Sequence, residues 1–149
     1  MSKKVFQIAG AVSAVALITM QFIRPARTNP SSERGASFEA VIRPSPEIAS
    51  SLKRACNDCH SNQTVWPWYS NIAPISWLVA GDVNEGRAHL NFSEWNRPGP
   101  EGEKPDMGDV CEQVKAGKMP LQAYALIHPQ AKLSNQEVAA LCALSLAEE

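Results

Sequence analysis

The chain has 149 residues, 44% hydrophobic and 19% charged, with 14 Lys and Arg set against 15 Asp and Glu. That length suits one small domain with an appendage and excludes a large multi-domain enzyme. A formal net charge of −1 offers no cationic field to a phosphate backbone, which argues against nucleic-acid binding, and apolar content this high argues against wholesale disorder.

The appendage comes first. Lys3 and Lys4 precede an uncharged run from Val5 to Ile23, which at a helical rise of about 1.5 Å per residue has the length of a bilayer's hydrocarbon core. Residues 1–23 therefore read as an N-terminal membrane anchor. A cleaved signal peptide is the alternative, but the small-x-small stretch Ala14-Val15-Ala16 lies inside the run and bulky residues continue to Phe22 and Ile23. Residues 24–44, rich in Pro, Ser, Arg and Gly, read as a linker. Residues 45–149 are then the globular domain.

Ser45-Pro46-Glu47 is a helix start, with a capping hydroxyl, proline in the first turn and an acid beside it. Ile48, Leu52 and Cys56 recur along one face of that helix. A second helix is expected over residues 74–90, with Ile75, Leu78, Val79, Val83 and Leu90 as its apolar stripe. Residues 96–106 read as a loop on Pro and Gly content. A short helix is expected over 107–116, capped by Asp106 and stopped by Gly117. Ser134-Asn135-Gln136-Glu137 is a capping box for the last helix, with Leu133 placed to staple against Val138. Strand patterns are absent, so the fold class expected is all-α, with long loops.

The chemistry concentrates in Cys56-Asn57-Asp58-Cys59-His60. Cys-x-x-Cys-His is the sequence of c-type haem attachment. Residues three apart on a helical turn share a face and can form thioethers to the two vinyl groups of one porphyrin, and the histidine that follows can ligate its iron. A thioredoxin-type pair would want a strand before the motif. A zinc site would want a second ligand pair at short spacing, whereas Cys111 and Cys142 stand far apart. One covalently attached haem c, with His60 as axial ligand, is the expectation.

A sixth ligand must come from few residues. Met119 follows Gly117-Lys118 and precedes Pro120, so a stiffened loop can hold a soft thioether at fixed reach. His128, His89 and Met107 are rivals, His128 the foremost, and an open site is the remaining possibility.

These residues resemble class I c-type cytochromes: an early Cys-x-x-Cys-His turn, a late Met-Pro loop and a C-terminal helix. More closely, the chain resembles a family of small bacterial haem-binding domains. The likeness runs through Gln21-Phe22-Ile23-Arg24-Pro25, the stretches 56–79 and 82–95, and Lys118-Met119-Pro120 onward to Ser134. It implies a cytochrome c-like helical domain around one haem. It also implies that the Pro74 carbonyl or a neighbour orients His60, that Trp66, Trp68, Tyr69 and Trp77 surround the haem, and that Asn71 or Arg87 meets its propionates.

Two functions are then open. One is a membrane-anchored monohaem cytochrome passing single electrons between redox protein partners in the bacterial cell envelope, its haem domain on the periplasmic or outer face of the inner membrane. The other is a haem-based ligand-binding or sensing protein with a displaceable sixth site. No enzymatic activity is expected, because a peroxidase would need vacant iron and a distal acid–base residue. Cys111 and Cys142 are either small buried hydrophobes or, in an oxidising compartment, a disulfide.

Overall fold

Ser45 starts its helix as the sequence signals, its hydroxyl accepting from the Ile48 N–H at 3.4 Å. The structure, a computed structural model, describes residues 3–33, 35–98, 102 and 104–145. Among these the regular elements are helical: α1 (Lys3–Met20), α2 (Phe38–Ile42), α3 (Pro46–Ala55), α4 (Asn57–His60), α5 (Ile75–His89), α6 (Met107–Lys115), α7 (Gln122–Ile127) and α8 (Asn135–Ser145). Single 3-10 turns lie at Trp68–Asn71, Phe92–Glu94 and Pro129–Ala131. Part of the loop expected over 96–106 lies outside the described residues.

The chain divides into two compact units, one running up to Thr28 and adding Trp66–Asp82, the other comprising Asn29–Val65 and the chain from Val83 onward. In the second unit the core is Phe38, Leu52, Phe92, Trp95, Met107, Val110 and Leu141. Phe38 stands edge-on to both Phe92 and Trp95, with ring centroids 5.5 and 4.7 Å away. Within the stretch 24–44, read as a linker, the end is folded into this core. Ser37 caps α2, and Phe38 at its first position is fully buried, because one large aromatic in a polar stretch is enough to seat it in the core.

Helices α6 and α8 pack against each other and are joined by a disulfide between Cys111 and Cys142, 31 residues apart. Asp106 caps α6, accepting from the Asp109 N–H at 3.0 Å, and Gly117 follows it at φ +66, the left-handed conformation that glycine adopts without steric cost. The capping box at α8 forms in both directions: Glu137 N–H donates to the Ser134 hydroxyl at 3.3 Å, and Ser134 N–H to Glu137 Oε2 at 2.8 Å. Leu133 and Val138 both pack against the buried cluster of Cys111, Val114 and Cys142.

The first unit begins with α1, whose residues include none that are buried. It is long and apolar enough to cross a membrane. The stripe expected along α5 holds in part, at Val83 and Leu90 of the second unit. Ser76, Ala80 and Val83 form the buried face, while Ile75 and Leu78 are 46% and 67% exposed. The small residues Ser76 and Ala80 take the close-packed side in the first half of α5, where hydropathy alone pointed to Ile75 and Leu78.

Candidate haem centre

The Cys-x-x-Cys-His motif is a turn of its own. Helix α3 closes with the Cys56 N–H donating to Leu52 O at 2.9 Å. The chain then bends at Cys56 (φ −125) and re-enters a helix over Asn57–His60. The Cys56 carbonyl accepts from both Cys59 N–H (3.1 Å) and His60 N–H (2.9 Å). One helical turn therefore brings both sulfurs to one side, as two thioethers to one ring require. The disulfide takes Cys111 and Cys142 and leaves the motif its two sulfurs. Burial, with Cys59 alongside, pushes the Cys56 thiol up to about 12. The pocket disfavours a thiolate, whereas a thioether carries no charge to desolvate.

His60 is oriented by the end of α5. Its Nδ1 lies 3.0 Å from Gly86 O and 3.1 Å from Leu90 O. Both neighbours are acceptors, so Nδ1 carries the proton and Nε2 presents a lone pair. Burial holds the imidazole below its ordinary pKa, against the pull of the Leu90 and Gly86 carbonyls, which favours the neutral, ligating form. The orienting role expected of Pro74 thus falls to Gly86 and Leu90. The Pro74 carbonyl instead accepts from the Trp77 N–H at 3.0 Å, inside the first turn of α5. Gly86 has a second function. A Cβ there would stand 2.7 Å from Cys59 O, so only glycine lets α5 come this close to the motif.

Asp58, between the cysteines, is a structural hub. Its Oδ1 accepts from the Val65 N–H at 3.0 Å, its carbonyl from Thr64 Oγ1 at 2.7 Å, and its Oδ2 from the Tyr124 hydroxyl at 2.7 Å. Arg87, a candidate for the propionates, holds the loop after the motif. Its Nε donates to Ser61 O at 2.8 Å, and its Nη2 to Asn29 Oδ1 at 2.9 Å and Thr64 Oγ1 at 2.8 Å.

Met119 lies just beyond the Gly117 stop. Lys118 and Met119 N–H groups both donate to Gln113 O, at 3.0 and 3.2 Å, and the half-buried Met119 side chain packs against Cys111, Val114 and Cys142. The Met119–Pro120 peptide is cis. Helix α7 follows, and its Tyr124 returns to the motif at Asp58. The structure therefore ties the methionine segment to the disulfide on one side and to the Cys-x-x-Cys-His turn on the other. Among the rivals, Met107 is wholly buried in the core, His89 is exposed, and His128 stacks on Tyr124 with ring centroids 4.4 Å apart.

Trp66, Trp68, Tyr69, Pro74 and Trp77 belong to the first unit. There Trp68 and Tyr69 meet edge to face at 5.9 Å, Trp77 Nε1 donates to Ile23 O at 2.7 Å, and Asn71 donates to Trp68 O at 2.9 Å. Gly86, Leu90 and Tyr124 are site residues that the sequence reading missed. A glycine in mid-helix was the one available signal, since it lowers helix stability unless close packing requires it.

Two thiols on one turn, a neutral imidazole with Nε2 available and a thioether sulfur in the same unit are a donor set that suits haem. Among the described residues no group of three or more His, Cys, Asp or Glu gathers to hold a bare metal ion. A family model described as a haem-binding domain matches residues 15–145. No curated protein and no solved structure matches the chain.

Proposed function

Since the chain belongs to the haem-binding domain family, we propose that it is a monohaem c-type cytochrome, anchored by α1 and carrying single electrons between redox proteins of the bacterial cell envelope. Cys56 and Cys59 would hold the haem by thioethers, and His60 Nε2 and the Met119 sulfur would ligate its iron. The bound group supplies a one-electron iron couple. The chain's part is to exclude water, fix both ligands and keep the charge change in a rigid, low-dielectric site, where reorganisation is small.

The observation that carries this reading is the pair of carbonyls, Gly86 O and Leu90 O, on His60 Nδ1. It sets the tautomer and ring orientation that an iron ligand needs, one residue after two cysteines on a single turn. Helix α1, apolar enough to cross a membrane, supports anchoring, with the haem domain on the periplasmic or outer face where such attachment takes place.

The test is covalent retention of haem. Protein expressed with a c-type maturation system should stain for haem after denaturing electrophoresis. Cys59→Ala should hold haem by at most one bond, with lower yield and partial extraction into acid acetone. The double variant Cys56→Ala/Cys59→Ala should not stain at all, and persistent staining there overturns the covalent reading.

A further inference from the structure

The first unit contains an arrangement for which electron transfer has no use. Helix α1 has 18 residues, about 27 Å at the usual rise, slightly short of the roughly 30 Å hydrocarbon core. Phe22 and Ile23, 83% and 63% exposed, extend the apolar run to full thickness. Gln21 lies at this boundary, where an amide side chain needs protein partners because lipid supplies none. Its Nε2 donates to Leu17 O and to Ala73 O, both at 3.0 Å, and its Oε1 accepts from the Ala73 N–H at 3.0 Å. Trp77 Nε1 donates to Ile23 O at 2.7 Å, and the Arg27 guanidinium reaches Ser70 O at 3.1 Å as well as Asn71 Oδ1. The stretch 70–77 is thereby pinned beside the last turn of α1 and the residues just after it.

The side chains around those pins are arranged inside out for a surface in water. Ser70, Ala73, Ser76 and Ala80 are buried, whereas Trp68, Ile72, Ile75 and Leu78 are 76%, 45%, 46% and 67% exposed. No Asp, Glu, Lys or Arg occurs between Ser61 and Gly81. Large apolar groups outside, small and polar groups inside, and an uncharged stretch held at the end of a membrane-length helix point to one neighbour.

We infer that residues 68–78 dock on the lipid bilayer, with Trp68, Ile72, Ile75 and Leu78 joining Phe22 at the headgroup–acyl boundary. This inference rests on the reading of α1 as a membrane anchor. Tryptophan suits that depth, with an apolar ring and a polar N–H. The protein then has two membrane contacts, a spanning helix and an interfacial saddle beside it, and the first unit lies on the bilayer surface instead of swinging from a tether.

The test uses the full-length haem-loaded protein in phosphatidylcholine vesicles doped with a lipid bearing a photoactivatable diazirine in its acyl chain. After irradiation and digestion, lipid adducts are mapped by mass spectrometry. Adducts are expected on residues 3–23 and again on 68–78, with α6 and α8 unlabelled. Adducts confined to 3–23 overturn the docking while leaving the anchor intact. No adducts at 3–23 or 68–78 overturn both readings. In Trp68→Glu/Leu78→Glu, adducts on 68–78 should fall by about tenfold, since each charge resists entry into the apolar layer, while those on 3–23 persist. Undiminished labelling of 68–78 in that variant also overturns the docking, and the wild-type map decides the matter should the variant fold poorly.

Discussion

The Tyr124 hydroxyl donates to Asp58 Oδ2 at 2.7 Å, joining the helix after the methionine segment to the residue between Cys56 and Cys59 of the Cys-x-x-Cys-His turn. A hydrogen bond to a carboxylate is worth about 1.5–3 kcal/mol when well shielded, and this pair is only part-buried. Tyr124→Phe should therefore lower stability by about 1–2 kcal/mol in denaturant unfolding. In the haem-loaded protein it should also raise the affinity for imidazole, since Met119 loses one of its two moorings. An unchanged unfolding midpoint together with unchanged imidazole affinity would show that the bond moors nothing.

Met119→Ala tests the sixth ligand directly. The absorption band from sulfur-to-iron charge transfer should vanish, the iron should become high-spin or accept added ligands, and the midpoint potential should fall, because thioether ligation favours the reduced iron. A low-spin spectrum that survives the substitution assigns the ligand elsewhere, with His128 the next residue to replace.

Gly86→Ala places a methyl group 2.7 Å from Cys59 O. Alanine is ordinarily better in a helix than glycine by about 1 kcal/mol. Here the collision should reverse the sign and cost about 1–3 kcal/mol, with a lower yield of haem-stained protein because His60 is displaced from its two carbonyls. Gly81→Ala is the control on the same helix. Nothing lies within 4 Å of its added Cβ, so it should be neutral or mildly stabilising. Thermal unfolding of the pair measures the contrast.

The parts of the fold that are locally encoded were legible in the sequence. Ser45, Asp106 and the Ser134–Glu137 box each satisfy backbone N–H groups within a turn, and the helices begin where they stand. The Cys56–His60 motif was legible for the same reason, since its chemistry depends on spacing along one turn. What escaped depends on distant packing. Phe38 in a polar stretch gives no periodic signal, yet it seats α2 in the core beside Phe92 and Trp95. The acceptors for His60 lie 26 and 30 residues downstream and are backbone carbonyls, which no residue type announces. The proline expected in that role spends its carbonyl on the helix it starts.

Glu137 gives the protein an acid-sensitive joint. Ser134 N–H and hydroxyl donate to its Oε2, each at 2.8 Å, Arg54 pairs with its Oε1, and the Ser51 hydroxyl donates there at 2.9 Å. These bonds, those from Ser134 foremost, hold the carboxyl at about 2, against an ordinary 4.5. The folded state therefore favours the carboxylate more than the unfolded chain does. The resulting stability is fully present above the unfolded value and is lost as pH falls toward the folded one. The difference in denaturant midpoint between wild type and Glu137→Gln should be constant near neutrality and close as the pH falls from about 5 toward 2. A gap of equal size at both ends of that range would contradict the assignment.

The bridge between Cys111 and Cys142 makes the segment carrying Met119 and Tyr124 part of a covalent ring. A protease that cuts within it, for instance beside the exposed Leu126 and Ile127 of α7, opens a circle and frees no fragment. The nicked chain should run as one haem-bearing band without reductant and split only once thiol is added, releasing α8 from the haem-bearing half. A cut at this exposed helix is thus survivable so long as its surroundings stay oxidising.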